Sequence, residues 1–170
     1  MSADFQQTIL PHLDASYNLA RWLTRNEQTA EDLVQDSFVR ALKSFGGFRG
    51  DNPRAWILAI VRNTCYTWLA KNKAHAAIVE FDDEIETTDS EALDPAMLLT
   101  RRADKDSVHK ALNELPPEFR EIVVLRELEG LSYQEISAVA CVPVGTVMSR
   151  LSRARNRLER SLAAHSEGGH

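Results

Sequence analysis

Residues 115–158 read LPPEFREIVVLRELEGLSYQEISAVACVPVGTVMSRLSRARNRL, and the pattern inside them decides the fold class. Leu115-Pro116-Pro117 interrupts whatever precedes it. Glu118 to Glu129 then spaces its apolar residues as a helix that Gly130 ends. Ser132-Tyr-Gln-Glu135 has the serine and the glutamate of a capping box, three residues apart, and launches a short helix through Ala140. Cys141-Val142-Pro143 supplies a turn, and a longer helix begins around Val144 to Thr146. Two helices joined by so short a turn, the second one basic, are the arrangement of a helix-turn-helix.

On a helical wheel, Val147, Leu151, Ala154 and Leu158 fall on one narrow apolar seam. Ser149, Ser152, Arg153, Asn156 and Arg160 point the opposite way, and Arg150 and Arg157 lie on one flank. A helix that reads DNA needs short hydroxyl or amide groups and Arg on its outer face to reach base edges, with flanking Arg to hold phosphates. A solvated basic face is the plain alternative. The capping box and turn in front of the helix favour the DNA-reading one.

Working outward, the rest of the chain is also helical in pattern, and no segment alternates with period two. One helix is expected from Pro11 to Thr24, a second capped at Thr29-Ala-Glu-Asp32 and running to Phe45, and a third from Arg54 to Lys71. Three glycines and a proline between Gly46 and Pro53 make that stretch a loop. Asp94-Pro95 opens a further helix to Asn113. The fold class is therefore all-α: two small helical domains, residues 1–74 and 95–163, joined by a flexible acidic linker over 75–94, with a disordered tail at 164–170.

Charge follows the same division. The chain carries a net −5, yet residues 1–74 hold nine basic and seven acidic groups, and 95–170 hold eleven basic and ten acidic. His75 to Asp94 contains eight acidic residues and no Lys or Arg. The linker alone makes the protein acidic, and both helical blocks are mildly basic. The longest uninterrupted apolar run, Ala55 to Val61, is far too short to insert in a bilayer, and the N-terminus lacks a signal-peptide pattern, so a cytoplasmic protein is expected. Cys65 and Cys141 lack CxxC spacing and are expected to pack as small buried thiols, and the five histidines form no ligand pattern. Neither a metal nor a cofactor is expected.

In the third helix, Ile57, Val61, Cys65 and Trp68 form the core stripe, while Trp56, Asn63 and Thr67 line up opposite, with Arg62 and Tyr66 beside them. Aromatic rings and an Asn behind a Gly-rich loop suit capture of unstacked bases, with Arg holding the backbone. From this block alone, simple packing of Trp56 and Tyr66 against a neighbouring helix is the preferred reading. In the second helix, Asp32, Gln35 and Asp36 make one acidic face, and Val34, Phe38 and Leu42 the apolar stripe. Solvent exposure or docking of a basic partner helix would both explain the acidic face.

Taken together these residues resemble a bacterial RNA polymerase sigma factor of the extracytoplasmic-function (group four) type, in order along nearly the whole chain. AEDLVQDSFVRAL (30–42) resembles region 2.2, FRGDNPRAWILAIVRNTCYTWL (48–69) resembles regions 2.3 and 2.4, and residues 115–158 resemble region 4. The resemblance implies a non-enzymatic initiation factor whose partners are core RNA polymerase, promoter DNA and an anti-sigma factor. It implies that Asp32, Gln35 and Asp36, with Leu33 among them, contact polymerase. It implies that Phe48, Arg49, Gly50, Asp51 and Asn52, with Asn63, hold a flipped base of the minus-ten element, beside Trp56, Arg62 and Tyr66. Met148, Ser149, Ser152 and Arg153 would face bases of the upstream element, with Arg150, Arg155 and Arg157 toward phosphates. Met148 departs from the Arg or Lys of many relatives, which removes one contact to guanine or phosphate. The acidic linker would thread toward the RNA exit path.

Three rival readings fit less of the chain. A stand-alone helix-turn-helix regulator explains 115–160 but not the acidic face or the Asn63 stripe. A sigma-mimicking adaptor would need a receiver domain, for which 170 residues leave no room. An enzyme built on Asp82, Asp83 and Glu84 would have nothing to fix their geometry.

Overall fold

A computed structural model of the chain describes residues 3–72 and 105–168. The linker, the helix start at Asp94-Pro95 and the path of the acidic strand lie outside the described residues. Among these residues the secondary structure is helical, without strands.

The first block begins with α1 (Ala3–Ile9), a single 3-10 turn (Leu10–His12) and α2 (Leu13–Thr24). Helix thus starts eight residues before the expected Pro11, which sits inside the 3-10 turn. Phe5 and Ile9 explain the earlier start, because both are buried in the core. Helix α2 stops at Arg25, whose backbone is left-handed (φ 60°).

Helix α3 (Glu27–Ser44) is capped by Asn26, which accepts the Thr29 N–H at 2.9 Å. The cap therefore lies three residues before the expected Thr29, which supplies the donor. The stripe that α3 buries is Ala30, Val34, Ser37 and Ala41, rather than Val34, Phe38 and Leu42. Leu42 remains 37% exposed and Phe38 half-buried. Small residues let α3 approach α2 and α4 closely, and Ser37 is satisfied internally by the Leu33 carbonyl. Helix α4 (Pro53–Lys71) has Asn52 as N-cap, accepting the Ala55 N–H at 3.0 Å, and Pro53 in its first turn. Ile57, Val61 and Cys65 are buried as expected, while Trp68 is only half-buried.

The second block comprises α5 (Lys105–Asn113), α6 (Pro117–Val123), α7 (Tyr133–Ala140) and α8 (Val144–Gly168). Helix α6 loosens into a π turn over Val124–Leu128, closed by Glu129 N–H to Val124 O at 3.0 Å, and Gly130 (φ 71°) ends it. The apolar seam of α8 is the expected one: Val147, Leu151, Ala154 and Leu158 are all buried. Its backbone stays helical to Gly168, beyond residue 164 where a tail was expected. Cys65 is buried, and burial first, with the Glu121 charge second, pushes its thiol up to about 12. Cys141 is exposed, contrary to expectation: it ends α7 in the left-handed conformation (φ 57°), which turns its side chain outward.

Two small helical domains on a flexible linker, as the sequence suggests, could each have stood alone. Instead α2 packs on α6 and α4 on α7, and one apolar core runs through both blocks. The reason is polar as well as apolar. Arg120, 2% exposed, donates from Nε to Trp22 O (2.7 Å) and from Nη1 to Leu115 O (2.6 Å). Longer contacts reach Leu23 O and Asn113 O, both at 3.4 Å. Trp22 and Leu23 carry carbonyls of the last turn of α2, which no intrahelical N–H can reach. The guanidinium from the second block thus caps a helix of the first, where the helix dipole favours a cation. Burial, with Arg25 nearby, lowers its pKa to about 10, so it stays charged at neutral pH.

Replacing Arg120 with Met should lower the unfolding free energy by about 2–4 kcal/mol, because buried carbonyls lose a charged donor. Lys should not restore it, since one ammonium cannot span carbonyls on both blocks. Urea unfolding followed by circular dichroism checks this, and a loss below about 0.5 kcal/mol would contradict the capping role.

Candidate nucleic-acid and polymerase interfaces

The helix-turn-helix is held by local bonds. Ser132 Oγ accepts the Glu135 N–H at 3.0 Å, and Glu135 Oε1 accepts the Ser132 N–H at 2.8 Å, completing the capping box. At the other end of α7, Ser137 Oγ donates to Val142 O at 2.5 Å, tying the turn to the helix. Pro143 O then accepts the Thr146 and Val147 N–H groups, opening α8. With the seam of α8 buried, its opposite face is directed outward at its N-terminal end. Met148 is 50% exposed and Ser149 is exposed, its hydroxyl resting on Thr146 O. Arg150, Ser152, Arg153 and Arg155 are half-buried along the same helix. Arg157 lies over the Phe119 ring at 5.0 Å, so here its guanidinium packs on α6.

On α3, Asp32, Gln35 and Asp36 are all exposed and Leu33 is half-buried beneath them. Asp36 pairs with Arg40 one turn on at 3.3 Å, and Asp32 accepts a long bond from Gln28 at 3.4 Å. These contacts are solvent-facing and leave the acidic face available to a partner.

The loop before α4 divides into two parts. Phe48 stacks on Phe45 (ring centroids 5.7 Å) and tilts against Trp56 (5.0 Å), so both Phe48 and Trp56 spend ring faces on packing. Arg49, Gly50 and Asp51 are exposed, with Gly50 in the left-handed region (φ 84°). Asn63 is exposed farther along α4, its carbonyl accepting the Thr67 hydroxyl. The simple packing role preferred for Trp56 and Tyr66 from the residues alone is the one observed in this conformation.

Arg62 and Tyr66 face the second block. Arg62 donates from Nε to Glu121 Oε1 at 2.6 Å and from Nη2 to Glu121 Oε2 at 3.1 Å, and lies 4.2 Å from the Tyr66 ring centre. Glu121 is fully buried. Burial holds its carboxyl above the ordinary range, opposed by the bonds from Arg62. Burial also works against the charge on Arg62, but the carboxylate keeps its pKa above the usual value. Tyr66 Oη is buried near that carboxylate without a hydrogen bond of good geometry among the described residues; burial first and the Glu121 charge second raise its pKa well above ordinary.

A second clasp lies at the start of α4. Arg54 Nη2 reaches Glu135 Oε1 at 3.1 Å, and Asn52 Nδ2 donates to Glu135 Oε2 at 2.9 Å. Burial acts to raise the Glu135 pKa, but bonds from Asn52, the Ser132 N–H and Arg54 hold it below the ordinary value. Asn18 adds a 2.6 Å bond to Glu129. Sequence reasoning missed Glu121 altogether and saw Glu135 only as a cap. The available signal was Arg120-Glu121 standing inside the apolar run from Phe119 to Leu125, where charges persist only if paired.

No helix among the described residues is long and apolar enough to cross a membrane. Two family models match the chain: sigma-70 region 2 over residues 8–75 and sigma-70 region 4 over residues 105–158. The ECF RNA polymerase sigma factor SigE of Mycolicibacterium smegmatis is 32% identical over 162 residues, which cover 95% of this chain and 63% of that relative's length. The RNA polymerase sigma-H factor of Pseudomonas aeruginosa is 31% identical over 165 residues, covering 93% of this chain and 86% of the relative. The sigma factor RpoE from Bartonella quintana, solved with the anti-sigma factor NepR, matches with a TM-score of 0.72 and 32% identity, over 95% of this chain and 98% of that one. By helix order, by both matched regions and by its relatives, this chain belongs to the sigma-70 family of RNA polymerase sigma factors, in the extracytoplasmic-function group.

Proposed function

We propose that this protein binds core RNA polymerase in the cytoplasm and directs it to specific promoters, without catalytic activity of its own and under the control of an anti-sigma factor. Residues 1–74 act as region 2, 75–94 as the linker and 95–163 as region 4. The observation that carries this reading is a pairing within one chain: a capped helix-turn-helix whose α8 offers Met148 and Ser149 to solvent, and a carboxylate face on α3. Anti-sigma control is supported by the relative from Bartonella quintana, which was solved with such a partner.

In this scheme Met148, Ser149, Ser152 and Arg153 meet base edges in the major groove, and Arg150 and Arg155 meet phosphates. Arg157 joins them only if it leaves Phe119. Asp32, Gln35 and Asp36 offer acceptors to a basic surface of polymerase, over Leu33 as an apolar contact. At the minus-ten element the exposed groups Arg49, Gly50, Asp51 and Asn63 are open to a strand in the present conformation.

Transcription with purified core polymerase on a genomic promoter library tests the reading. Starts should appear downstream of two shared sequence boxes; no directed start in the absence of any inhibitor would overturn it. Tight binding to a palindromic duplex without polymerase would favour a stand-alone regulator instead.

Replacing Arg153 with Ala should weaken upstream-element recognition by roughly 1–3 kcal/mol, the cost of one base contact, measured by competition between promoters differing in that box. Asp36→Arg should abolish co-purification with core polymerase. The ion pair it removes is an exposed i,i+4 pair of roughly 0.3–0.5 kcal/mol, so circular dichroism should show an unchanged fold.

A further inference from the structure

Helix α8 changes character along its length. From Arg150 onward cations recur at Arg150, Arg153, Arg155, Arg157 and Arg160, whereas its first six residues, Val144 to Ser149, hold no charged side chain. Within those six, Val147 is sealed in the core and Met148 is 50% exposed. The Ser149 hydroxyl is turned back onto Thr146 O at 3.3 Å. Gly145, three residues before Met148, is exposed, and a Cβ placed on it would meet nothing within 4 Å among the described residues. Four residues beyond Met148, Ser152 adds only a short, half-buried hydroxyl. The thioether of Met148 is thus the one long side chain that the start of α8 turns to solvent.

Such a group is unsuited to the polar edge of a base pair. Methionine has no donor and only a weak acceptor. Pressed against N7 and O6 of guanine, or the amino group of cytosine, it would strip water from those groups and return no bond. The major groove offers one apolar group, the 5-methyl of thymine. An unbranched, flexible thioether adapts to such a surface readily.

We infer that Met148 selects a thymine in the upstream element by apolar contact with its 5-methyl group. This rests on the proposed placing of α8 in the major groove. Arg150 and Arg155, which meet phosphates in that scheme, hold any sequence alike, so the preference at this base pair belongs to Met148.

2′-Deoxyuridine differs from thymidine by that methyl alone and pairs with adenine in the same way. Holoenzyme assembled from the full chain and core polymerase is bound to a promoter recovered from the library, and each thymine of the upstream box, on either strand, is replaced in turn. One replacement should weaken binding about fourfold, the contribution of one buried methyl group. In the variant Met148→Ala the same replacement should have no effect, the non-additivity expected of two groups in contact. Met148→Arg should prefer guanine to thymine at that pair, and its binding should fall more steeply with salt. Met148 lies outside the core, so circular dichroism should show both variants folded as the parent.

The inference is overturned if no thymine of the box responds to loss of its methyl, if the responsive one still responds in Met148→Ala, or if Met148→Arg keeps the preference for thymine. Where the parent holoenzyme initiates at that promoter all the same, only the role of Met148 is wrong. A parent that initiates nowhere removes the functional reading, and the inference with it.

Discussion

The last carbonyls of a helix point along its axis at whatever lies beyond, and α2 ends against a part of the protein from which water is excluded. Arg120 resolves this by lending one guanidinium to Trp22 O and Leu23 O on one side and to Leu115 O and Asn113 O on the other. Arg25 adds a 3.0 Å bond to Asn113 O, so two cations converge on the junction of α5 and α6. Leu23, Phe119 and Ile122 can be buried together because these polar groups are satisfied. Without that satisfaction the blocks would meet only at the expense of orphaned carbonyls.

Much of this architecture was legible from residue order. The capping box at Ser132 and Glu135, the stop at Gly130, the seam of α8 and the loop ahead of Pro53 all follow from local chemistry: a hydroxyl three residues before a carboxylate, a glycine free to take positive φ, apolar residues at helical spacing. The errors share a cause. Asn26, not Thr29, caps α3, because both residue types can accept a backbone N–H and only the packed backbone selects which one does. Ala41 rather than Leu42 turns inward on α3 because closeness to α2 and α4 sets the face, and side-chain size alone does not report it. Cys141 was assigned to the core by residue type, yet its left-handed backbone turns it to water.

For the candidate residues, which faces are open was legible in the sequence, and their present partners were not. Asp32, Gln35 and Asp36 share an exposed face, as their spacing requires, and Met148 and Ser149 lie on the open side of α8. Arg62 and Tyr66 were chosen for chemistry that suits nucleic acid, but a guanidinium and a phenol serve a carboxylate equally well. Periodicity within α4 cannot report that Glu121, 59 residues on, is its partner. Long-range pairing of charges leaves no local trace beyond the oddity of a charge within an apolar run.

The two clasps differ in their access to solvent. Glu121 is sealed, whereas the side chains of Arg54 and Glu135 keep 33% and 21% exposure. Mobile ions screen the latter pair and barely reach the former. Rising ionic strength thus works on the joint from its wetter end, slackening the start of α4 while the Arg62 end stays shut, so that parting of the halves proceeds as peeling rather than as simultaneous release.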